Sequence, residues 1–201
     1  MSLKTRLGNL GNILDHDDSQ TRLLQIASPV LTNGEFEAMR EHMGSTVAEI
    51  DCTFTPGEEE NALREAMDRI QSEAENAVRG GAVHLILSDR NLGPDRVPIP
   101  MILATSGVHS HLVRQNLRTF TSLNVRSLEC LDVHYFAVLI GVGATTVNAY
   151  LAQETIADRH RRGLFGNRGL DECIRRYINA VDQGLLKIMS KMGISIISSY
   201  R

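Results

Sequence analysis

The chain has 201 residues, 42% hydrophobic and 22% charged, with a formal net charge of -3. That length suits a single domain that buries about two-thirds of the surface its unfolded form exposes, with no need of disulfide or metal staples. The balanced charge carries no electrostatic footprint for nucleic acid or an anionic membrane, no basic region followed by an apolar one opens the chain as an export signal, and no apolar run approaches the ~20 residues that a bilayer demands.

Residues 1–27 hold glycines, asparagines and an acidic cluster with little periodicity, which predicts an extended entry segment. A short apolar run, Pro29 to Leu31, leads to Asn33 as an expected cap, a helix through Met39, and Gly44 as its close. Val47, Ile50, Cys52 and Phe54 then predict one strand. Thr55-Pro56-Gly57-Glu58 follows with the pattern of a helix start: a capping threonine, a proline that needs no amide partner, and a glutamate three residues after the cap. Leu63, Ala66, Met67, Ile70, Ala74, Ala77 and Val78 recur at three and four, giving one apolar helical face that ends at Gly80. "VHLILSD" is a continuous apolar run, as in a strand covered on both faces, so strand, helix and strand here read as a βαβ unit.

The rhythm continues through a proline-punctuated loop (residues 91–100), a helix from Met101, a strand in "SLNVRSLECLD", and a helix from Val133 that stops at glycines. A short strand or turn in "TTVNAYLA" and two helical stretches after Leu151 and Leu170 complete it. About five or six strands alternating with helices predict an α/β fold with a mainly parallel sheet, either open or an incomplete barrel. At the end, Leu185, Leu186, Met189 and Met192 lead through Gly193 into Ile194 to Ser199, expected as a closing strand. Such a strand would present apolar edges to water, and residues 1–8 lack a proper first element, so both ends are expected to continue in a longer polypeptide.

Few residues suggest chemistry. Cys52, Cys130 and Cys173 are odd in number and widely spaced, which fits neither a disulfide framework nor a zinc or iron–sulfur run and points to a reducing cytoplasm. His109 and His111 stand at i and i+2 and so project to different sides of a helix, poor geometry for joint metal ligation; with His134 they are expected to be structural. Gly141 to Ala144 resembles a piece of a phosphate-cradling loop, yet it follows a helix instead of opening one, so a helix C-cap is the expected reading. Ala157 to Gly163, a short basic run, is expected as a solvated loop, with docking of an acidic partner or a phosphate as the alternative. Asp89 stands at the end of a strand, where α/β proteins place functional side chains; capping of the next turn explains it equally well.

The strings themselves then carry more than their periodicity. "SPVLTN" (Ser28 to Asn33), "LILSDR" (Leu85 to Arg90), "VPIPMILATSGVHSHLVRQNLRT" (Val97 to Thr119), "DVHYFAVLIGVGATTVNAYLA" (Asp132 to Ala152) and "GLLKIMSKMGISIISSYR" (Gly184 to Arg201) resemble the central region of the large subunit of glutamate synthase, over the whole chain. The resemblance implies a parent enzyme that makes L-glutamate from L-glutamine and 2-oxoglutarate. Its large chain joins an amidotransferase domain, this central domain, an FMN-binding barrel with a 3Fe-4S cluster, and a β-helix; ammonia is channelled between the two active sites. It further implies that residues 1–178 are the later part of the central domain and 179–201 the junction leading into the FMN-binding barrel. Implied partners are the neighbouring amidotransferase and FMN-binding domains, with a small electron-delivering subunit or ferredoxin; whether the donor is NADPH, NADH or ferredoxin is set outside this stretch. No catalytic, cofactor-binding or metal-ligating residue carries over: the segments associated with flavin, 2-oxoglutarate and cluster lie outside residues 1–201. His109-Ser110-His111 stands where a run of three histidines is common in that family, and Ala149 where a proline is usual. The implied role is positional, an inactive spacer holding two sites in register; the alternative is a stand-alone α/β enzyme or ligand-binding domain using the Asp89 and Gly141 regions.

Overall fold

The computed structural model describes residues 1–12, 14, 21, 23–57 and 61–200. Its centre is a parallel sheet of β3 (Val47–Asp51), β5 (His84–Ser88), β7 (Ser122–Arg126) and β8 (Thr146–Asn148), laid side by side in chain order. The crossovers are α2 (Ala62–Arg79), α3 (Met101–Arg114) and α4 (Val133–Gly141). Because each crossover steps one strand in the same direction, uniform handedness stacks these helices on one face of the sheet, and α2 packs on α3 and α3 on α4. The sheet stays open: among the described residues no closed barrel forms.

Alternation along β5 shows how the two faces differ. Leu85 and Leu87 enter the main core with Ile70, Ala104, Val108, Leu123 and Val125. Ile86 points the other way, into a second cluster with Phe36, Met39 and Met43 of α1 (Asn33–Met43) and Leu7. Both faces are thus dry, which is why "VHLILSD" reads as an unbroken apolar run. The α1 face is nevertheless rich in polar side chains, several of them paired across strands: His84 Nδ1 lies 2.7 Å from Ser122 Oγ, and Thr146 Oγ1 donates to Asn124 Oδ1 at 2.8 Å. Arg126 pairs with Glu37 at 2.8 Å and lies over the Phe36 ring.

Several expectations are corrected. The strand expected across Val47–Phe54 divides at Cys52, whose amide still bonds Ser88 O while its carbonyl accepts from Ile99 N. The chain there leaves the main sheet, and β4 (Thr53–Phe54) pairs antiparallel with β6 (Val97–Pro98), a strand inside the stretch expected to be loop. That pairing keeps Thr55 to Gly57 out of the helix, which starts at Ala62; Glu58 lies outside the described residues. In α1 the cap is Thr32, one residue before the expected Asn33. Thr32 and Glu35 form a full capping box, while the Asn33 side chain accepts from Asn148 and its amide donates to Gln153. The basic run 157–163 is not a loop: it forms the last turns of α5 (Tyr150–Arg161) and what immediately follows, with Arg161 and Arg162 paired to Asp158.

The ends differ most. Residues 1–8 do contain an element, β1 (Thr5–Leu7), paired antiparallel with β2 (Leu24–Ile26). No closing strand follows Gly193; that glycine, at φ 71°, ends α6 (Leu170–Met192) as its sequence suggested, and the chain then makes one isolated parallel bridge, Ile196 to Ser2, and a 3₁₀ turn over Ile197–Ser199. Ile197 is 4% exposed and packs into the main core, whereas Ile196 is 47% exposed. The expected apolar edge strand is therefore not there to be covered. Residues 178 and 179, on either side of the expected boundary, both lie within α6.

Candidate functional site

Parallel sheets present their chemistry at the carboxyl ends of the strands, so that edge is the first place to look. Asp89 follows β5 there and is fully buried. Ser127 Oγ donates to it at 2.6 Å and the Leu128 amide at 3.0 Å. Burial raises its pKa, and those two hydrogen bonds oppose the rise. The carboxylate therefore caps the turn after β7, not the turn after its own strand. Beside it, Arg90 stacks over Tyr150 and pairs with Glu154 at 3.2 Å. Glu129 accepts from the Met101 amide, substituting for a cap at the start of α3, and also from the Tyr135 hydroxyl.

Asp51, at the end of β3, is held the same way. Burial alone would raise its pKa, but hydrogen bonds from Thr53 and Asn91 and the Arg96 guanidinium at 2.7 Å bring it below the usual carboxylate range. Each acid on this edge thus serves as a tie between consecutive strand-end loops. Two groups nearby keep an unpartnered buried atom, Arg126 Nε and Asn148 Oδ1. They are register partners on β7 and β8, on the same face of the sheet. Neither was singled out from the sequence, and nothing in their spacing marks them; only strand pairing brings them together.

The glycine and histidine motifs meet in one packing joint. Gly143 has φ 120°, and a Cβ there would run into the ring of His109. Arg118 donates to the Gly143 carbonyl at 2.8 Å and to His109 Nδ1 at 3.0 Å. Amides of Val142, Gly143 and Ala144 return to carbonyls of the last turn of α4, so none is turned outward to hold a phosphate. His111 Nε2 lies 2.7 Å from Glu75 on α2, away from His109, and His134 is exposed. The alternative reading, an active centre built on Asp89 and Gly141, loses its geometry: both regions are spent on internal bonds and packing.

A sizeable hollow lies elsewhere, an open groove of about 1050 Å³ between the start of α1, residues 24–31, α5 and α6. Its walls are mostly apolar, and the described polar lining includes Glu35, Glu154, Asp171 and Asp182 against Arg175 and His42. Burial raises Asp182, with Ser28 Oγ donating at 2.6 Å in opposition.

The cofactors implied by the resemblance do not fit these residues. An iron–sulfur cluster needs thiolates converging on one point, whereas burial pushes Cys52 and Cys130 well above the usual thiol range and the three free cysteines sit on separate elements. Among the described residues no three His, Cys, Asp or Glu side chains gather as metal ligands. A flavin phosphate needs a cationic or amide-lined nest, and the groove is lined by carboxylates.

A family model described as the glutamate synthase central domain matches residues 1–201. The chain is 69% identical, over its whole length, to the large chain of glutamate synthase [NADPH] of Azospirillum brasilense. It is 37% identical to glutamate synthase [NADH] of Saccharomyces cerevisiae and 37% identical to the chloroplastic ferredoxin-dependent glutamate synthase of Spinacia oleracea, again over its full length. It spans 13%, 10% and 13% of these relatives.

Proposed function

Because the chain belongs to the glutamate synthase central-domain family, we propose that it is a non-catalytic spacer in a large chain that makes L-glutamate from L-glutamine and 2-oxoglutarate. In this reading an amidotransferase domain and an FMN-binding barrel flank it in the same polypeptide. The FMN, a 3Fe-4S cluster and the contacts with an electron-delivering subunit or ferredoxin belong to those neighbours. The stretch 179–201, the second half of α6 and the segment after it, is the part we assign to the passage toward the barrel. The three buried thiols suit a reducing compartment, the cytoplasm.

One observation carries this reading: the carboxyl edge of the sheet is closed by bonds within the chain, with Asp51, Asp89 and Glu129 each tied to a neighbouring loop. Acids consumed in this way give rigidity, not catalysis. Rigidity is what coupling two distant reactions requires, since ammonia is lost to water unless the path between sites is enclosed, and small misplacements of reacting groups are costly in rate. The contribution is positional.

The purified 201-residue chain is expected to be colourless and to turn over neither glutamine nor 2-oxoglutarate. A yellow preparation carrying stoichiometric flavin, or turnover of either compound, overturns the spacer reading.

A further inference from the structure

We propose that the groove between α1, α5 and α6 is an interdomain socket: it receives an apolar segment edged with lysine, supplied by the part of the parent large chain outside residues 1–201. The inference rests on the spacer reading and adds where the spacer is gripped. Ile26, Met39, Ala157, Leu170, Ile174 and Ile178 form the apolar walls. Ile174 and Ile178 are one turn apart on α6, the spacing by which a helix offers a continuous ridge to a partner. Both are half-buried, although α6 already buries Val181, Leu185 and Met189 against its own core. Ile178 also packs against that core, so the stripe that buries Val181, Leu185 and Met189 runs on toward the start of α6, where the described residues leave it partly open at the groove.

Three features select the occupant. An open trough of about 1050 Å³, walled by residues of three helices, leaves room for a short length of polypeptide. Four carboxylates line it against one arginine and one histidine, so the complementary edge is cationic. And these 201 residues are about a tenth of the length of their relatives, so most of a parent chain remains to supply that segment at the high effective concentration of a covalent tether. A second copy of the domain competes without that advantage.

The test uses the intact large chain with its usual partners. Zero-length carbodiimide cross-linking joins carboxylates to adjacent lysines, and the monomer band of a denaturing gel contains only products formed within one chain. Mass spectrometry of that band should find Asp171 or Glu35 joined to a lysine outside residues 1–201. Ile174→Lys should reduce the yield of those products about tenfold, the effect of losing roughly 1.4 kcal/mol of contact, while Ile174→Val leaves it unchanged. Slow amide exchange at Leu185 in both variants confirms that α6 is intact. Products found only in the dimer band, products confined to residues 1–201, or free labelling of Asp171 with no cross-link each overturn the socket. Glutamine-dependent glutamate formation is read separately: cross-links lost in Ile174→Lys with coupling undiminished would sink the spacer reading and leave the socket standing.

Discussion

His84 shows what a single buried side chain does for the sheet. It sits 8% exposed on β5, bonded to Ser122 on β7, and burial holds its pKa down to about 4 from an ordinary 6.5. Above pH 6.5 the imidazole is neutral folded or unfolded and contributes no pH dependence. As pH falls from 6.5 towards 4 the unfolded chain takes up a proton that the folded one refuses, so stability declines across that window. Urea unfolding of the 201-residue chain should lose about 3 kcal/mol from this group between pH 7 and pH 4, and His84→Gln, which keeps a partner for Ser122, should flatten that part of the profile. An unchanged slope in the variant would mean that the carboxylates alone govern the acid limb. The histidine was visible in the run "VHLILSD", but its protonation was not, because that follows from burial, which only the packing around the sheet decides.

At the level of elements, glycines decide how closely the helices seat. Gly184 on α6 would place a Cβ 2.6 Å from Val133 on α4, and Gly143, at φ 120°, carries the ring of His109 and the Arg118 clamp. Gly81, at φ 97°, faces open space. Gly81→Ala should therefore cost only backbone strain, about 1 kcal/mol, whereas Gly143→Val adds displacement of His109 and should cost about 3 kcal/mol or more by the same denaturant titration. Equal losses would show that φ alone matters at the α4–β8 joint. The C-cap at Gly141–Ala144 was legible because local hydrogen bonds form it. The start of α2 was not: Thr55-Pro56-Gly57-Glu58 carries the chemistry of a cap, but the residues just before it, Thr53 and Phe54, are committed to pairing with β6, and long-range strand pairing outweighs a local preference worth about 1 kcal/mol. The same competition moved the cap of α1 from Asn33 to Thr32, since Asn33 is engaged by Asn148 and Gln153.

Across the molecule, the two ends brace one another. Ser2 donates to Ser195 O and accepts from Ile197 N, so the tail after α6 is anchored by the first residues of the chain. Ile197→Ala should cost about 2–4 kcal/mol in unfolding free energy, as for other fully packed isoleucines, while Ile196→Ala should change it by less than about 0.5 kcal/mol. Comparable losses at both positions would restore the expected strand, in which alternate residues of an apolar run are both enclosed.

The sequence by itself determined the α/β class, the alternation of the four central strands with α2, α3 and α4, the apolar faces of α2 and α6, the glycine stop of α6, and the family. All of these are written in local periodicity, in capping chemistry or in strings long enough to recognise. Only the tertiary structure decided that the four strands run in chain order with α2, α3 and α4 on one face. It also decided that Asp51, Asp89 and Glu129 tie neighbouring loops together, that the last isoleucines fold back on Ser2, and that an acidic, apolar-walled groove opens beside α6. Those features come from residues far apart in the chain, and an interaction between distant residues leaves no period in either of the segments that make it.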